Sequence, residues 1–386
     1  MNSTFENNVL TIYPEGNIDT TNAEEVGKEF EEIRAAHPEG AVVLDMDNLK
    51  YISSAGLRQI LKFKKREKEF SIINCSSEIY EIFEITGFAE MMDVRKGYRH
   101  VSVDGCEVIG EGSNGVVYRL NPDTIIKVYK NNDALEDIKR ERELAKTALV
   151  LGVNTAIPFD VVKVGDKYGS VFELLSAKSL TKLIIQDPEN KEKYVKVFAD
   201  MLKEIHGTEV KPGILPSGKQ TALGWAEWLK DYLPEETYTK LHKLIEDVPE
   251  SNHMLHGDYH TSNVHYANNE AILIDMDTLA TGNPIFEFAS IYLAYKGYGE
   301  LDHAAVEKFL KIDWDTADYV LNKLVDLYFE DKDDDYKKEV MEKARVIGYT
   351  RALRRTIKRT PDQTELIDYY KKQLIECVDK VDSLAV

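Results

Sequence analysis

Residues 256–263, His-Gly-Asp-Tyr-His-Thr-Ser-Asn, and the Ile274-Asp275 pair downstream form the pattern from which the rest of the chain is interpreted. An Asp followed five residues later by an Asn, and then by an Asp that closes an apolar segment, is the spacing of a phosphotransfer centre. It predicts that Asp258 orients an attacking hydroxyl and that Asn263 and Asp275 bind Mg²⁺, a hard cation that prefers oxygen ligands. The alternative is a polar loop whose Asp and Asn only stabilise turns and helix caps.

A glycine-rich segment upstream predicts a nucleotide-binding loop. Its sequence over residues 108–118 is Val-Ile-Gly-Glu-Gly-Ser-Asn-Gly-Val-Val-Tyr, with β-forming residues on both sides. A dinucleotide-binding turn would open a helix after the third glycine, whereas residues 116–120 predict another strand. Because glycines leave backbone N–H groups accessible, we expect this loop to cover the phosphates of ATP. The residues expected to contact the nucleotide are Gly110, Gly112, Ser113, Asn114, Gly115 and Val117.

A lysine in the next predicted strand, Lys127, is expected to bind the α- and β-phosphates and therefore needs a carboxylate partner. The predicted helix from about Ala134 to Leu149 offers Glu141 and Glu143. We prefer Glu141, because an inward-packing apolar residue follows it three positions later. The alternative is that Lys127 is exposed and that both glutamates belong to a solvated face, as dense charge runs usually do.

A strand predicted over residues 168–175 marks the change from a β-rich to a mainly helical region. From their position alone, backbone groups of Glu173 to Leu175 are expected to bind adenine, with Glu173 and Leu175 as the candidates. Helices are predicted over residues 179–186, 191–206, 224–231 and 235–248.

Considered as a set, these motifs resemble the aminoglycoside phosphotransferase and choline kinase branch of the protein-kinase-like fold. The resemblance extends over residues 105–386. It rests on the 256–263 stretch, on Leu273-Ile274-Asp275 and on Gly282-Asn283-Pro284. It implies a kinase with a β-rich small lobe and a mainly helical large lobe.

Departures from the protein kinases point to the acceptor. Gly257 stands where those enzymes carry an Arg, and no long activation segment follows Asp275. The resemblance therefore implies a small-molecule hydroxyl as acceptor rather than a protein. Glu287 departs from the small-molecule branch, in which an Asp is usual, and Asp277 is not assigned as a metal ligand.

The first hundred residues alternate strand and helix signals, which predicts a small α/β domain ending near Val103. Residues 41–46 form an apolar run typical of a strand buried on both faces. The domain resembles the STAS, or anti-sigma factor antagonist, family. The motifs that carry this resemblance are Gly16-Asn17-Ile18-Asp19, Val43-Leu44-Asp45-Met46, Ser53-Ser54-Ala55-Gly56-Leu57 and Ile85-Thr86-Gly87-Phe88.

The STAS resemblance implies a phosphorylation site at Ser54. In the family, a serine at the start of the helix after the third strand is phosphorylated to switch partner binding. A phosphate at Ser54 would be favoured by the N–H groups and dipole of a helix N-terminus, and its charge would alter a docking surface. Ser53 stands where the family often has an Asp, and the alternative for both serines is an ordinary N-cap.

The C-terminal helices are expected to wall the acceptor pocket. The aromatic candidates, for which core packing is the commoner role, are Trp225, Trp228, Tyr232, Tyr292 and Tyr295. A second feature is a cluster of cations, which we call the α13 cations: Arg351, Arg354, Arg355, Lys358 and Arg359. This cluster either binds a phosphate or carboxylate of a substrate or, as we prefer, pairs with acidic segments such as residues 330–335.

The composition is that of a soluble globular chain with two or three structural units. Its net charge of −19 argues against a general nucleic-acid or anionic-membrane binder. The three cysteines show no metal-ligand spacing and predict no disulfide framework. No apolar run reaches the roughly 18 residues of a membrane span, and no signal peptide opens the sequence. A cytoplasmic protein is expected.

The predicted fold is thus two domains: an α/β STAS-like domain over residues 1–103 and an α+β bilobal protein-kinase-like domain over residues 104–386, whose small lobe ends near residue 175. The predicted function is ATP- and Mg²⁺-dependent transfer of the γ-phosphoryl group to a hydroxyl of a small molecule, with a STAS domain that regulates the enzyme or binds a protein partner. Two alternatives stay open. One is a signalling protein kinase acting on Ser54 or a similar serine, and the other is a nucleotide-sensing module that switches partners without catalysis.

Overall fold

The structure of the chain, a computed structural model, describes residues 1–112, 114–132 and 134–386. It divides into two compact units. The first contains Met1–Ser102 and Val161–Asp166, and the second contains Val103–Asp160 and Lys167–Val386. In the part of the chain that the structure describes, no helix combines the length and the apolar character needed to cross a membrane.

The first unit is built on a five-stranded sheet with helices packed against it. Its strands are β1 (Asn2–Glu6), β2 (Val9–Tyr13), β3 (Gly16–Ile18), β4 (Ala41–Asp45), β5 (Leu49–Ile52), β6 (Phe70–Cys75) and β7 (Asp93–Lys96), and its helices are α1 (Ala23–Ala36), α2 (Ser54–Lys64), α3 (Ser77–Ile85) and α4 (Phe88–Met91). The sheet order is β1-β2-β4-β6-β7, while β3 and β5 pair separately. Only β1 runs antiparallel to its neighbour.

Burial alternates along the central strands of this unit, as expected for a sheet with one covered face. Val42 and Leu44 are fully buried, and they share one core cluster with Phe30 of α1 and Ile60 of α2. The prediction that residues 41–46 are buried on both faces is wrong, because the intervening residues of β4 stay partly exposed. The apolar run in the sequence marks a strand but not the number of faces covered.

The second unit begins with a small β-rich lobe. Its elements are β8 (Val108–Glu111), β9 (Gly115–Arg119), β10 (Thr124–Tyr129), α5 (Leu135–Val150), β12 (Lys167–Glu173) and the first three residues of β11 (Pro158–Val164), whose other residues are grouped with the first unit. The sheet order is β11-β12-β10-β9-β8, and β10 pairs antiparallel with both β9 and β12. The strand that carries Lys127 is therefore central in this sheet.

A mainly helical lobe follows. Its helices are α6 (Leu180–Gln186), α7 (Lys191–Gly207), α8 (Gly218–Trp228), α9 (Glu235–Glu246), α10 (Ile285–Tyr292), α11 (Ala304–Leu310), α12 (Trp314–Tyr328), α13 (Asp334–Arg359) and α14 (Thr364–Lys380). Its short strands are β13 (Lys178–Ser179), β14 (Met254–Leu255), β15 (Val264–Ala267), β16 (Glu270–Leu273) and β17 (Ala280–Thr281). Residues 256–263 lie between β14 and β15, and Asp275 follows β16.

One helix boundary differs from the sequence prediction. The helix predicted over residues 224–231 begins at Gly218 and ends at Trp228, and a short 3-10 turn follows. Ser217 fixes the earlier start, because its hydroxyl accepts a hydrogen bond from the Gln220 backbone N–H at 3.2 Å. The first turn of this helix gives only a weak signal in the sequence, because it has no aromatic residues, whereas the part after residue 223 has them.

Candidate active site

One lysine contacts two carboxylates, and one of them lies 148 residues away from it in the sequence. The Lys127 Nζ lies 2.9 Å from Glu141 Oε1 on α5 and 2.9 Å from Asp275 Oδ1 after β16. The Tyr129 hydroxyl donates to the second oxygen of Glu141 at 2.5 Å. Burial alone would lower the pKa of Lys127, but the charges of Asp275 and Glu141 outweigh it and raise the pKa above its ordinary value. The lysine is therefore held as a cation between two carboxylates.

The structure distinguishes the two glutamates that the sequence offered as partners of Lys127. Glu141 is buried, whereas Glu143 pairs with Lys146 and its side chain is 69% exposed. Lys127 itself is only 16% exposed. The arrangement is thus a buried ion pair and not part of a solvated face.

Two aspartates follow β16, and their environments differ. Burial would raise the pKa of Asp275, but the neighbouring Lys127 outweighs that effect and lowers it. The pKa of Asp277 is raised to about 7, by burial first and then by the negative charges of Asp275 and Glu141, with Asp258 also contributing. Asp275 adopts left-handed backbone angles, φ 65° and ψ 64°, which are uncommon for a residue with a side chain. Such conformations concentrate at functional sites.

A buried carboxylate binds the backbone of the loop that contains Asp258. Glu287 on α10 is fully buried, and it accepts hydrogen bonds from the backbone N–H groups of His256 at 2.5 Å and Gly257 at 3.0 Å. The Ser290 hydroxyl donates to the same carboxylate at 3.1 Å. Glu287 thus reaches the loop although an Asp is usual at this position in the small-molecule branch.

The ring of His256 connects the Asp258 loop to the segment that leads to Asp275. Its Nδ1 accepts from the Asp258 backbone N–H at 3.3 Å, and its Nε2 donates to the Ile274 carbonyl at 3.0 Å. The same two segments are joined again where the Ile274 N–H donates to the Asn263 carbonyl at 2.9 Å. These bonds keep Asp258, Asn263 and Asp275 in one local framework.

Gly257 is required by the loop geometry. Its φ is +81°, and a Cβ at this position would lie 2.5 Å from the backbone oxygen of Thr278. Further along, Tyr259 is fully buried, stacks on Phe198 and donates to the Phe198 carbonyl at 2.6 Å. The lack of a side chain at Gly257 and the buried ring of Tyr259 therefore set the shape of the loop, and Asp258 between them is 34% exposed.

Asn263 and Asp275 have oxygen atoms suited to Mg²⁺. The Asn263 amide donates from Nδ2 to the Asp258 carbonyl at 3.0 Å, which leaves Oδ1 outside the hydrogen bonds of the described residues. Asp275 pairs with Lys127 through Oδ1, and Oδ2 is similarly unused. Within the described residues no group of three His, Cys, Asp or Glu side chains could hold a metal ion. A cation here would therefore take its remaining oxygens from phosphates and water.

The glycine-rich loop connects β8 and β9. The Gly112 N–H donates to the Gly115 carbonyl at 2.9 Å, and Lys130 donates to the Gly112 carbonyl at 3.0 Å. A Cβ on Gly115 would lie 2.6 Å from the Val128 oxygen, whereas one on Gly112 would meet nothing within 4 Å. Gly115 is thus required for strand packing, while Gly112 leaves space above the loop. Ser113 lies outside the described residues.

The other residues predicted to contact the nucleotide lie on the strands of the small lobe or next to them. Gly110 lies on β8, Asn114 lies in the loop, where its carbonyl accepts from the Lys130 N–H at 2.9 Å, and Val117 on β9 pairs in register with Lys127. The Glu173 N–H donates to the Ile157 carbonyl, and the Leu174 N–H donates to the Asp123 carbonyl. Of the N–H groups in residues 173–175, only that of Leu175 makes no hydrogen bond to the described residues. The binding of adenine by this segment stays a prediction.

Sequence reasoning named Arg351 within the α13 cations but did not assign it to the site. Arg351 on α13 donates to the Gly257 carbonyl at 2.7 Å, and its second guanidinium nitrogen lies 3.6 Å from Asp258 Oδ1. The preferred interpretation of the α13 cations, pairing with residues 330–335, is wrong. Those acidic residues instead pair with lysines, such as Glu330 with Lys203 and Asp334 with Lys337. The density of cations in the sequence was the available signal.

The aromatic candidates divide between pocket and core. Trp225 and Arg351 line the same cavity, and the ring centre of Trp225 lies 5.7 Å from the guanidinium carbon of Arg351. Tyr292 and Tyr295 are core residues, and the Tyr295 hydroxyl accepts from the Thr261 N–H at 2.9 Å. Trp228 and Tyr232 stack on each other.

The two serines of the first unit have different roles. The Ser53 hydroxyl accepts from the Gly56 N–H at 3.3 Å and is the N-cap of α2. Ser54 is the first helical residue and is exposed, and its side chain makes no capping bond. An ordinary N-cap therefore explains Ser53 but not Ser54.

Both units match models of known protein families. The model described as STAS domain matches residues 1–102, and the model described as phosphotransferase enzyme family matches residues 105–319. BtrV of Bordetella bronchiseptica (strain ATCC BAA-588 / NCTC 13252 / RB50), described provisionally as an anti-sigma factor antagonist, is 36% identical over 84 residues. That alignment covers 21% of this chain and 72% of BtrV.

Solved structures with a similar fold include aminoglycoside phosphotransferases. A thermostable mutant of APH(4)-Ia in ternary complex with ADP and hygromycin B aligns with a TM-score of 0.50 and 13% identity, over 72% of this chain and 94% of that chain. ADP-bound APH(2'')-Ib aligns with a TM-score of 0.49 and 16% identity, over 77% and 98%. At these identities the similarity concerns the fold alone.

The matches confirm both resemblances inferred from the motifs and the predicted two-domain fold class. The phosphotransferase model spans more than half of the chain, and the STAS model spans the segment that precedes it. The chain therefore belongs to the phosphotransferase enzyme family and carries a STAS domain in its first 102 residues.

Proposed function

We propose that this chain transfers the γ-phosphoryl group of ATP to a hydroxyl group of a small molecule. The observation that carries the proposal is the position of Lys127, 2.9 Å from both Glu141 and Asp275. This arrangement supports a nucleotide site because a lysine fixed between a helix carboxylate and a metal-binding Asp is what phosphoryl-transfer enzymes use to position phosphates. A solved structure of similar fold, that of the APH(4)-Ia mutant, contains ADP.

In the proposed reaction the acceptor oxygen attacks the γ-phosphorus while the bond to the β–γ bridging oxygen breaks. The acceptor proton passes to the Asp258 carboxylate, which Glu287 and His256 keep in place through the loop backbone. Lys127 positions the α- and β-phosphates. Asn263 and Asp275 would hold Mg²⁺, which when bound neutralises phosphate charge. Positioning and electrostatic stabilisation provide most of the acceleration in such a site.

The STAS domain is proposed to bind a protein partner. Its support is the match to the STAS family and the similarity to BtrV. Ser54 is the proposed modification site, because its hydroxyl is exposed and not needed to cap α2. This also keeps a second candidate function, that of a kinase acting on such a serine. Incubation with labelled ATP and mapping of the label would favour it if Ser54 is labelled by the wild type and not by Asp258→Asn.

The test of the main proposal is the Asp258→Asn variant. ADP release from Mg·ATP is measured with a panel of aminoglycosides, amino alcohols, sugars and nucleosides as acceptors. Loss of the carboxylate should reduce turnover by roughly 100-fold or more and leave ATP affinity nearly unchanged. Asp247→Asn, which changes an exposed residue at the end of α9, is the matched control. Turnover of Asp258→Asn at the rate of this control would refute the assignment.

A further inference from the structure

The second half of α13 is strongly cationic within an acidic chain. Between Glu342 and Asp362 the sequence contains no Asp or Glu, although the net charge of the chain is −19. Among the described residues, Arg351 is the only α13 cation that lies within 4 Å of a carboxylate, that of Asp258 at 3.6 Å. Cations that accumulate without acidic partners raise the local concentration of anions.

These cations are crowded together near the Asp258 loop. The pKa of Arg359 is lowered, by burial first and then by the neighbouring guanidiniums of Arg355 and Arg351. Arg354 Nε is buried and has no hydrogen-bond partner within the described ranges. Buried guanidinium nitrogens are rarely left without a hydrogen-bond acceptor. The cluster therefore needs an acceptor group that comes from outside the described part of the chain.

Arg351 retains donors that are not used by the protein. One terminal nitrogen binds the Gly257 carbonyl, while the other is 3.6 Å from Asp258, beyond hydrogen-bond distance. A guanidinium has five N–H donors in a planar fork that matches the oxygens of a carboxylate or phosphate. Arg351 can therefore bind an oxyanion while it keeps its bond to the loop.

A cavity adjoins this donor. Its volume is about 220 Å³, and its lining includes Arg351, Gly257, Trp225, Arg140 and Asp277. This volume lies below the roughly 300–1,000 Å³ of sites for drug-sized ligands, so it suits a small acceptor. The two guanidiniums of its lining outnumber the one carboxyl group, that of Asp277, which favours an acceptor with negative charge.

We infer that the acceptor of this enzyme carries an anionic group, a phosphate or a carboxylate, which Arg351 binds beside Asp258. This inference rests on the proposed function and adds the substrate class to it. The hydroxyl to be phosphorylated would lie at Asp258, and the anionic group would lie against Arg351, so one side chain would set both the charge preference and the orientation of the acceptor.

Anion binding can be tested without knowledge of the acceptor. The full chain, saturated with Mg·ADP so that the nucleotide site is occupied, is titrated with inorganic phosphate and with glycerate at constant ionic strength. Tryptophan emission is the signal, because Trp225 lies 5.7 Å from Arg351. Wild type should respond saturably to at least one anion, and Arg351→Gln should raise the dissociation constant roughly tenfold or more. The anion that binds more tightly identifies the phosphate or carboxylate class.

Two further variants keep the result interpretable. Arg351→Lys keeps the charge but loses the planar fork, so its affinity should lie between those of wild type and Arg351→Gln. Lys338→Gln removes one charge from an exposed position of the same helix and should leave the dissociation constant unchanged. The absence of a saturable response in the wild type, or equal dissociation constants for Arg351→Gln and Lys338→Gln, would overturn the inference.

Acceptor kinetics distinguish this inference from the proposed function. Glycerol, glycerate and glycerol 3-phosphate share a skeleton and differ in charge, and Arg351→Gln should raise KM for the charged members more than it lowers kcat. The inference is refuted if only neutral or cationic acceptors are phosphorylated and Arg351→Gln has no more effect than Lys338→Gln. That result leaves the proposed function standing. Anion binding through Arg351 in a chain that transfers no phosphate to any acceptor refutes the proposed function and supports the anion site.

Discussion

Substitution of Glu287 by Gln tests how the Asp258 loop is held. The fully buried Glu287 carboxylate accepts hydrogen bonds from the backbone N–H groups of His256 and Gly257 and from the hydroxyl of Ser290. Glutamine has almost the same shape, but it carries no charge and has only one acceptor oxygen. The Gly257 N–H lies 3.0 and 3.1 Å from the two oxygens of Glu287, so one glutamine oxygen in the place of Oε2 accepts from both loop N–H groups, but only as neutral hydrogen bonds.

The structure allows the cost to be estimated. Hydrogen bonds to charged groups contribute about 1.5–3 kcal/mol each, and neutral ones about 0.5–1.5 kcal/mol. Glu287→Gln weakens both loop bonds from charged to neutral, so we expect a loss of about 2–3 kcal/mol in the free energy of unfolding of the second unit. Because the loop carries Asp258, turnover should fall as well, while Mg·ATP affinity should change little.

Tryptophan fluorescence is a suitable assay for this prediction. The chain contains three Trp residues, at positions 225, 228 and 314, and all of them belong to the second unit. Urea unfolding followed by their emission therefore reports this unit and not the STAS domain. The control is Glu339→Gln on α13, where the carboxylate is 62% exposed, and its effect should stay within about 0.5 kcal/mol.

The pKa of Glu287 predicts how the stability difference between wild type and Glu287→Gln depends on pH. Burial would raise the pKa of Glu287, but the neighbouring His206, whose Nε2 lies 3.9 Å from the carboxylate, the charge of His256 and the Gly257 N–H outweigh it and lower the pKa below its ordinary value of 4.5. The stability from the charged form is therefore present above pH 4.5 and is lost as the pH falls below that value. The difference between wild type and Glu287→Gln should shrink over that range. The role of this carboxylate would be refuted if, at neutral pH, the urea midpoint of Glu287→Gln is no lower than that of Glu339→Gln.

Three other substitutions have defined outcomes. Glu141→Gln should weaken Mg·ATP binding about tenfold, because Lys127 loses a charged partner, whereas Glu143→Gln should leave the affinity unchanged; calorimetric titration compares them. Gly257→Ala should lower the unfolding free energy by roughly 2 kcal/mol or more, because a Cβ would clash with a carbonyl oxygen at a positive φ, and urea unfolding measures it. Ser53→Ala should reduce the stability of α2 by about 1 kcal/mol, seen as faster amide exchange in its first turn.

Each of these predictions has a contradicting result. Equal ATP affinity in the two glutamate variants would mean that the pairing with Lys127 does not position the nucleotide. A Gly257→Ala variant as stable as wild type would show that the loop relaxes away from the Thr278 carbonyl. For the cap, Ser54→Ala is the control and should leave exchange unchanged, because Ser54 makes no capping bond; equal effects of the two serine variants would contradict the assignment.

Local sequence pattern determined much of this protein. The spacing from Asp258 to Asn263 and Asp275, the glycine-rich segment and the strand lysine predicted the bilobal phosphotransferase fold, and the motifs of residues 16–88 predicted the STAS domain. These features are visible in sequence because short spacings specify turns, strand ends and loops directly. The choice of Glu141 over Glu143 followed the same rule, since the inward face of a helix is set by its period.

The tertiary structure decided what depends on long-range packing. Arg351 reaches Asp258 and the Gly257 carbonyl across a sequence separation of 94 residues, and Glu287 reaches the same loop with a side chain one methylene longer than the family's usual Asp. Neither contact has a local signature, because the position of α13 and α10 against the loop results from the packing of the whole helical lobe. The sequence by itself therefore determined the families of the two domains and predicted the residues of the proposed nucleotide site, while the packing of distant helices decided which charges lie near Asp258.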